Sequence, residues 1–235
     1  MNWTLIRSFW LQRLRSPVRM ILLAMVVTFA AGRTAMFPMG WQLGVNDAWT
    51  AAAILGFGMI SQDVSSGAAQ LILVRPVRRV EYLLSRCAAV LLGAMVVLTL
   101  QLGIDVAIAT ARGMAPAASD VLPNALMAIS WVVGVTAIIA LLTSVARGLG
   151  DLGLYAMFLV SLGFFGFAGQ VGRLEWAKWI ATGLGWIVNV GLSTEDFADA
   201  GPAMWKGLLR LAITVVACLA LGYAALRRRE LTYSS

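Results

Sequence analysis

The chain has 235 residues, 60% of them hydrophobic and only 12% charged, with a mean hydropathy of +0.85. This excludes a water-soluble globular protein, which is about half apolar and carries about twice the charge. The length suits one membrane domain over residues 1–235 without a second folded unit. The net charge of +7 lies beside apolar runs rather than in one patch, so it points to an anionic leaflet and not to nucleic acid.

Residues 2–16 read as an amphipathic helix. Trp3, Ile6, Trp10 and Leu14 recur at helical spacing, with Arg7, Arg13 and Arg15 among them, which suits a helix lying in the headgroup layer. This stretch precedes the first apolar run, and no small-residue cleavage site follows that run, so the N-terminus reads as mature. Pro17 turns the chain into the first span. Six apolar segments follow, at about 18–38, 43–61, 85–111, 121–146, 151–171 and 206–226, each near the roughly 20 residues that cross a bilayer. The first carries Arg33, the second has Asn46 and Asp47 near its start, and the third carries Asp105. Gly56 and Gly58, and Gly163 with Gly166, suit close helix packing.

Between the second and third segments lies the most informative stretch, Gly58 to Arg86. Asp63 is placed to cap a short helix, since its carboxylate accepts from the free N–H groups of a first turn. Val64, Ala68, Leu71 and Ile72 then share one apolar face at helical spacing. Pro76 ends the helix at Arg75, because it lacks a donor and disfavours α geometry in the residue before it. A short amphipathic helix over 63–75 is expected, between two spans and on the basic side of the bilayer.

An acid at the end of a span, Gly67 four residues on, an apolar helix, then Arg75-Pro76-Val77-Arg78-Arg79 and Glu81-Tyr82-Leu83-Leu84 form the pattern. It resembles the ABC-2-type transporter permeases, in which this segment is the cytoplasmic coupling helix that docks on the ATPase subunit. The resemblance assigns Asp63, Val64, Gly67, Ala68, Leu71, Ile72, Arg75 and Pro76 to ATPase coupling. It implies two cytosolic ATPase subunits per complex and a second permease subunit, identical or paralogous. ATP and magnesium would be bound by the partner, and the cargo would move outward.

Orientation follows from the basic residues. Arg7, Arg13, Arg15 and Arg19, then Arg75, Arg78, Arg79 and Arg86, then Arg147, and finally Arg227, Arg228 and Arg229 fall on one side of a six-span layout. That is twelve of the 18 basic residues, so this side and both termini are expected in the cytoplasm, with the chain in the plasma membrane. The longest outer connection, 172–205, contains an apolar run from Trp179 to Leu192 broken by glycines. As a helix it rises only about 21 Å, short of a core about 30 Å thick. It reads as a re-entrant or interfacial segment, with Trp176, Trp179 and Trp186 near the interface. Broken outer helices before the last span are a further point of resemblance to the ABC-2-type family.

The chemistry that is missing matters too. A P-loop requires Gly-x-x-x-x-Gly-Lys-Ser/Thr, and the two lysines, Lys178 and Lys206, stand in no such context. The sequence has no histidine, which removes the commonest general base and zinc ligand. Cys87 and Cys218 sit in apolar runs and read as small core residues. No catalytic, cofactor or metal residues are expected. Asp105 is the one acid well inside an expected span, with Gln101 a turn before it. An intramembrane charge costs about 2.5–3.5 kcal/mol on insertion scales, so it calls for a partner, a wet cavity or the headgroups. Arg33, in the outer half of the first span, is the candidate partner. Two other functions stay open: a secondary transporter or channel coupled through Asp105 and Arg33, or a non-transporting scaffold. The first would gain from a two-fold internal repeat, and none is visible.

Overall fold

The computed structural model describes residues 3–36, 45–60, 63, 78–114, 116–145, 191–192, 197 and 201–230. Among these there are six helices and no strand: α1 (Trp3–Leu14), α2 (Pro17–Met36), α3 (Val45–Gly56), α4 (Arg79–Ala111), α5 (Ala118–Val145) and α6 (Pro202–Glu230). An all-helical chain satisfies its backbone polar groups within each segment, as hydrocarbon surroundings require. Among the described residues, three helices are long and apolar enough to cross a membrane, within Arg79–Ala111, Val121–Val145 and Met204–Arg228. The pair α1 and α2 meets the same measure only jointly, across a bend of 78°.

That bend is set by Pro17. The Ser16 N–H donates to the Arg13 carbonyl at 3.3 Å, closing α1, and the Ser16 carbonyl accepts from Met20 N–H at 3.1 Å, opening α2. Proline fits between them, because the first position of a helix needs no donor and its φ is already helical. The buried residues of α1 are Ile6, Phe9 and Arg13, whereas Trp3 is 66% exposed. The inward face is therefore displaced from the Trp3–Ile6–Trp10–Leu14 stripe expected from the sequence. It includes an arginine, which the hydrophobic pattern alone assigns to water.

The second apolar segment is also shorter than expected. Its helix ends at Gly56, and residues 57–60 form a turn in which Gly58 has φ of +62°. That conformation favours glycine, so Gly58 serves a turn rather than close packing. At about 18 Å, the twelve residues of α3 do not cover a bilayer core. Gly56 does serve packing: a Cβ there would lie 2.8 Å from Ile139 Cγ2 on α5.

α3 fills the space between α4 and α5, and the consecutive Ala51, Ala52 and Ala53 are all buried. Three successive residues point in three directions around a helix, so α3 is enclosed on most sides. α1 and α2 lie along α4, while α6 rests chiefly on α5. The apolar window of α5 is 61% buried, against 39% for α4 and 17% for α6. Along α6, Leu209, Ile213 and Val216 face outward, as Val18, Met25 and Phe29 do on α2; such faces suit lipid. The fifth expected span, 151–171, and most of the outer segment 172–205 lie outside the described residues. Where that segment is described, Leu192 is buried and its N–H donates to Ser130 Oγ at 3.0 Å. Cys87 and Cys218 are buried free thiols, as expected.

Candidate functional site

Polar side chains gather at both ends of α4. At 1.5 Å per residue, Arg86 and Asp105 stand about 28 Å apart along the helix, close to the thickness of a bilayer core.

The Arg86 end joins three parts of the chain: α1, α4 and the chain at Asp63. Arg86 is 2% exposed and forms an ion pair with Asp63, itself buried. Tyr82, one turn earlier on α4, donates its hydroxyl to Asp63 Oδ2 at 2.6 Å. The Arg86 guanidinium lies 3.6 Å from the centre of the Phe9 ring of α1, and its Nη1 donates to Gln12 Oε1 at 3.2 Å. Phe9 and Tyr82 meet edge to face with centroids 5.9 Å apart. A desolvated cation over a ring contributes about 2 kcal/mol, and the aromatic pair about 0.5–1.5 kcal/mol beyond its area. Helical spacing explains the convergence: Phe9 with Arg13, and Tyr82 with Arg86, are each four residues apart and share a face.

Beside this pair, Arg13 Nη1 and Arg19 Nη2 both donate to the Phe57 carbonyl, at 2.6 and 3.1 Å. Phe57 directly follows α3, where the last carbonyls of a helix have no intrahelical donor. The turn at Gly58 leaves this carbonyl open to the two guanidinium groups, and positive charge is favoured at a helix C-terminus. Arg13 is 4% exposed. It is thus a cap for α3, supplied by α1, rather than a headgroup contact.

The other end is built around Asp105. Asp105 is 5% exposed, and one of its carboxylate oxygens accepts from Thr34 Oγ1 of α2 at 2.7 Å. Gln101 is buried one turn earlier. Arg112, just beyond α4, donates to the Ala35 carbonyl. The end of α2 that carries Arg33 therefore lies against the end of α4 that carries Asp105. The Arg33 side chain itself lies outside the described residues, so the expected pair is not part of this geometry.

Of the residues assigned to coupling, Asp63 is described, while Val64, Gly67, Ala68, Leu71, Ile72, Arg75 and Pro76 lie outside the described residues. Asp63 holds Tyr82 and Arg86, a role beyond the helix cap that the sequence suggests. Counting basic residues places Arg86 on the cytoplasmic side of the layout and says nothing of its burial; the side chain is sealed between α1 and α4. The signal available in the sequence was the Tyr82–Arg86 spacing beside a nearby acid.

These features define a helical membrane protein in which the longest of the described helices buries a cation near one end and an acid near the other. A family model described as "Protein of unknown function (DUF2705)" matches residues 25–232, and the chain belongs to that family. No curated protein matches it.

Proposed function

We propose that this chain is the membrane-spanning permease subunit of an ATP-driven transporter of the ABC-2 type, acting as an exporter. It works with two cytosolic ATPase subunits, which bind ATP and magnesium, and with a second permease subunit, identical or paralogous. Both termini face the cytoplasm, and 63–75 is the helix that docks on the ATPase. The chain itself hydrolyses nothing.

The observation that supports this reading is the anchoring of Asp63. This acid opens the segment that resembles a coupling helix, and it is held by both Tyr82 and Arg86 at the start of α4. A segment that transmits force must be joined stiffly to the span it moves. Charge-assisted hydrogen bonds in a water-poor site make such a joint, because their strength rises as the local dielectric falls.

The test uses the apolar face of the segment. Leu71→Glu places a carboxylate where a partner groove is expected, and an unpaired buried charge is costly. The variant is expected to insert and fold, because no span is altered, yet to lose a P-loop ATPase that co-purifies with the wild type. Stoichiometric ATPase retained by the variant, at matched membrane levels, rules the reading out.

The burial of Asp105 favours a second reading, a secondary transporter or channel coupled through Asp105 and Arg33. Purification then yields no ATPase, and Asp105→Asn abolishes ion-driven flux in proteoliposomes.

A further inference from the structure

Arg86 takes part in two contacts that the sequence gives no reason to connect. On one side lies Asp63, which also accepts from Tyr82. On the other lies α1, through the Phe9 ring and Gln12. With 2% exposure, the guanidinium has almost no water to replace a lost partner.

Such a group is tolerated in the interior only while its counter-charge is present. The stacking on Phe9 gains its strength from the same desolvation. If Asp63 withdraws, the stranded cation is driven toward water and leaves the ring. If α1 lifts away, water reaches Arg86 and weakens the ion pair. Each contact therefore depends on the other through one side chain.

We infer that Arg86 couples the docking of α1 to the seating of Asp63, so that the two form and break as one equilibrium. Coupling of this kind is reciprocal by thermodynamic necessity. It goes beyond the proposed transport role, since it holds whatever displaces the chain at Asp63. Its consequence is that α1 registers any movement there, although more than forty residues separate them in sequence.

Hydrogen exchange on the full chain in detergent or nanodiscs tests this without any ATPase partner. Asp63→Asn is expected to raise exchange of the α1 amides at least about tenfold more than that of the α5 amides, as local opening of α1 should follow the stranding of a buried charge. In an Arg86→Met background the cation is gone, and Asp63→Asn is expected not to raise α1 exchange further, since it only neutralises the carboxylate that this background leaves unpaired. Reciprocity requires Phe9→Ala to raise exchange in the peptide containing Asp63. Tyr82→Phe removes one hydrogen bond from Asp63 without stranding a charge, and is expected to raise α1 exchange about threefold; it carries the test if Asp63→Asn does not fold. Unchanged α1 exchange in Asp63→Asn and in Tyr82→Phe overturns the inference. So does an equal rise with and without Arg86→Met, or a rise as large in α5 as in α1.

Discussion

The two ends of α4 bury opposite charges and hold them by different means. At the Arg86 end the cation is met by a carboxylate, an aromatic ring and an amide oxygen. The carboxylate also accepts from the Tyr82 hydroxyl, so that α1, α4 and the chain at Asp63 all take part. Arg13 and Arg19 add a second joint there by capping α3. At the Asp105 end a hydroxyl of the adjacent helix donates to the carboxylate, and Arg112 donates to the Ala35 carbonyl. The Arg86 side chain is shared by several chain segments, so displacement of one is felt by the rest, and the contacts at Thr34 and Arg112 tie α2 to α4.

Topology is the first test of the two ends, and its outcome is all or none. Reporters after Ser235 or near Val77 are expected to read cytoplasm, and one near Asp196 the outside. A cytoplasmic signal at Asp196 breaks the six-span layout and the assignment of the two ends to opposite faces.

The next effect in size is on stability at the Arg86 end. Asp63→Asn and Arg86→Gln each strand a buried partner and are expected to cost about 3–5 kcal/mol, read from chemical denaturation in detergent. Replacing both charges, as Asp63→Leu with Arg86→Met, is expected to recover most of that loss. A double variant as unstable as the singles would show that the charges do more than balance each other.

At the Asp105 end the question is whether Arg33 takes part. Reversing both charges is expected to be milder than the sum of the single reversals, by a coupling of about 0.5–3 kcal/mol. Additive effects would mean that the two residues act independently. Thr34→Val removes the hydroxyl that Asp105 accepts from and is expected to cost about 1 kcal/mol. A loss as large as that of Asp63→Asn would erase the difference between the ends. The smallest effect belongs to Arg7 and Arg15, which are exposed on α1. Their replacement by glutamine is expected to leave the unfolding midpoint unchanged.

Much of the helical layout was legible in the sequence because it rests on local physics. Apolar runs long enough for a bilayer became α4, α5 and α6, and Pro17 marked the corner between α1 and α2. The early end of α3 was harder to see. The apolar run continues through Met59 and Ile60, both buried, and only the left-handed turn at Gly58 stops the helix. A single glycine in an apolar run has two readings, turn or close packing, and composition does not separate them. At the candidate site, Asp63 and Asp105 stood out because acids beside or inside apolar runs are costly. Tyr82, Arg13 and Arg19 did not, since their partners lie far away along the chain.

Arg79 and Arg86 show where the division falls. They stand seven residues apart on one helix, and both looked like basic residues at a membrane boundary. That the chain is helical, that its apolar segments reach bilayer length, and that arginines cluster around the start of α4 can all be read from the residues in order. Those properties depend on residue type and spacing within one segment. That Arg86 is sealed while Arg79 keeps partial access to water comes from packing between distant segments. The reason is that Phe9 and Asp63 arrive from other parts of the chain to cover one face of α4, and desolvation of a charge is set by what packs over it.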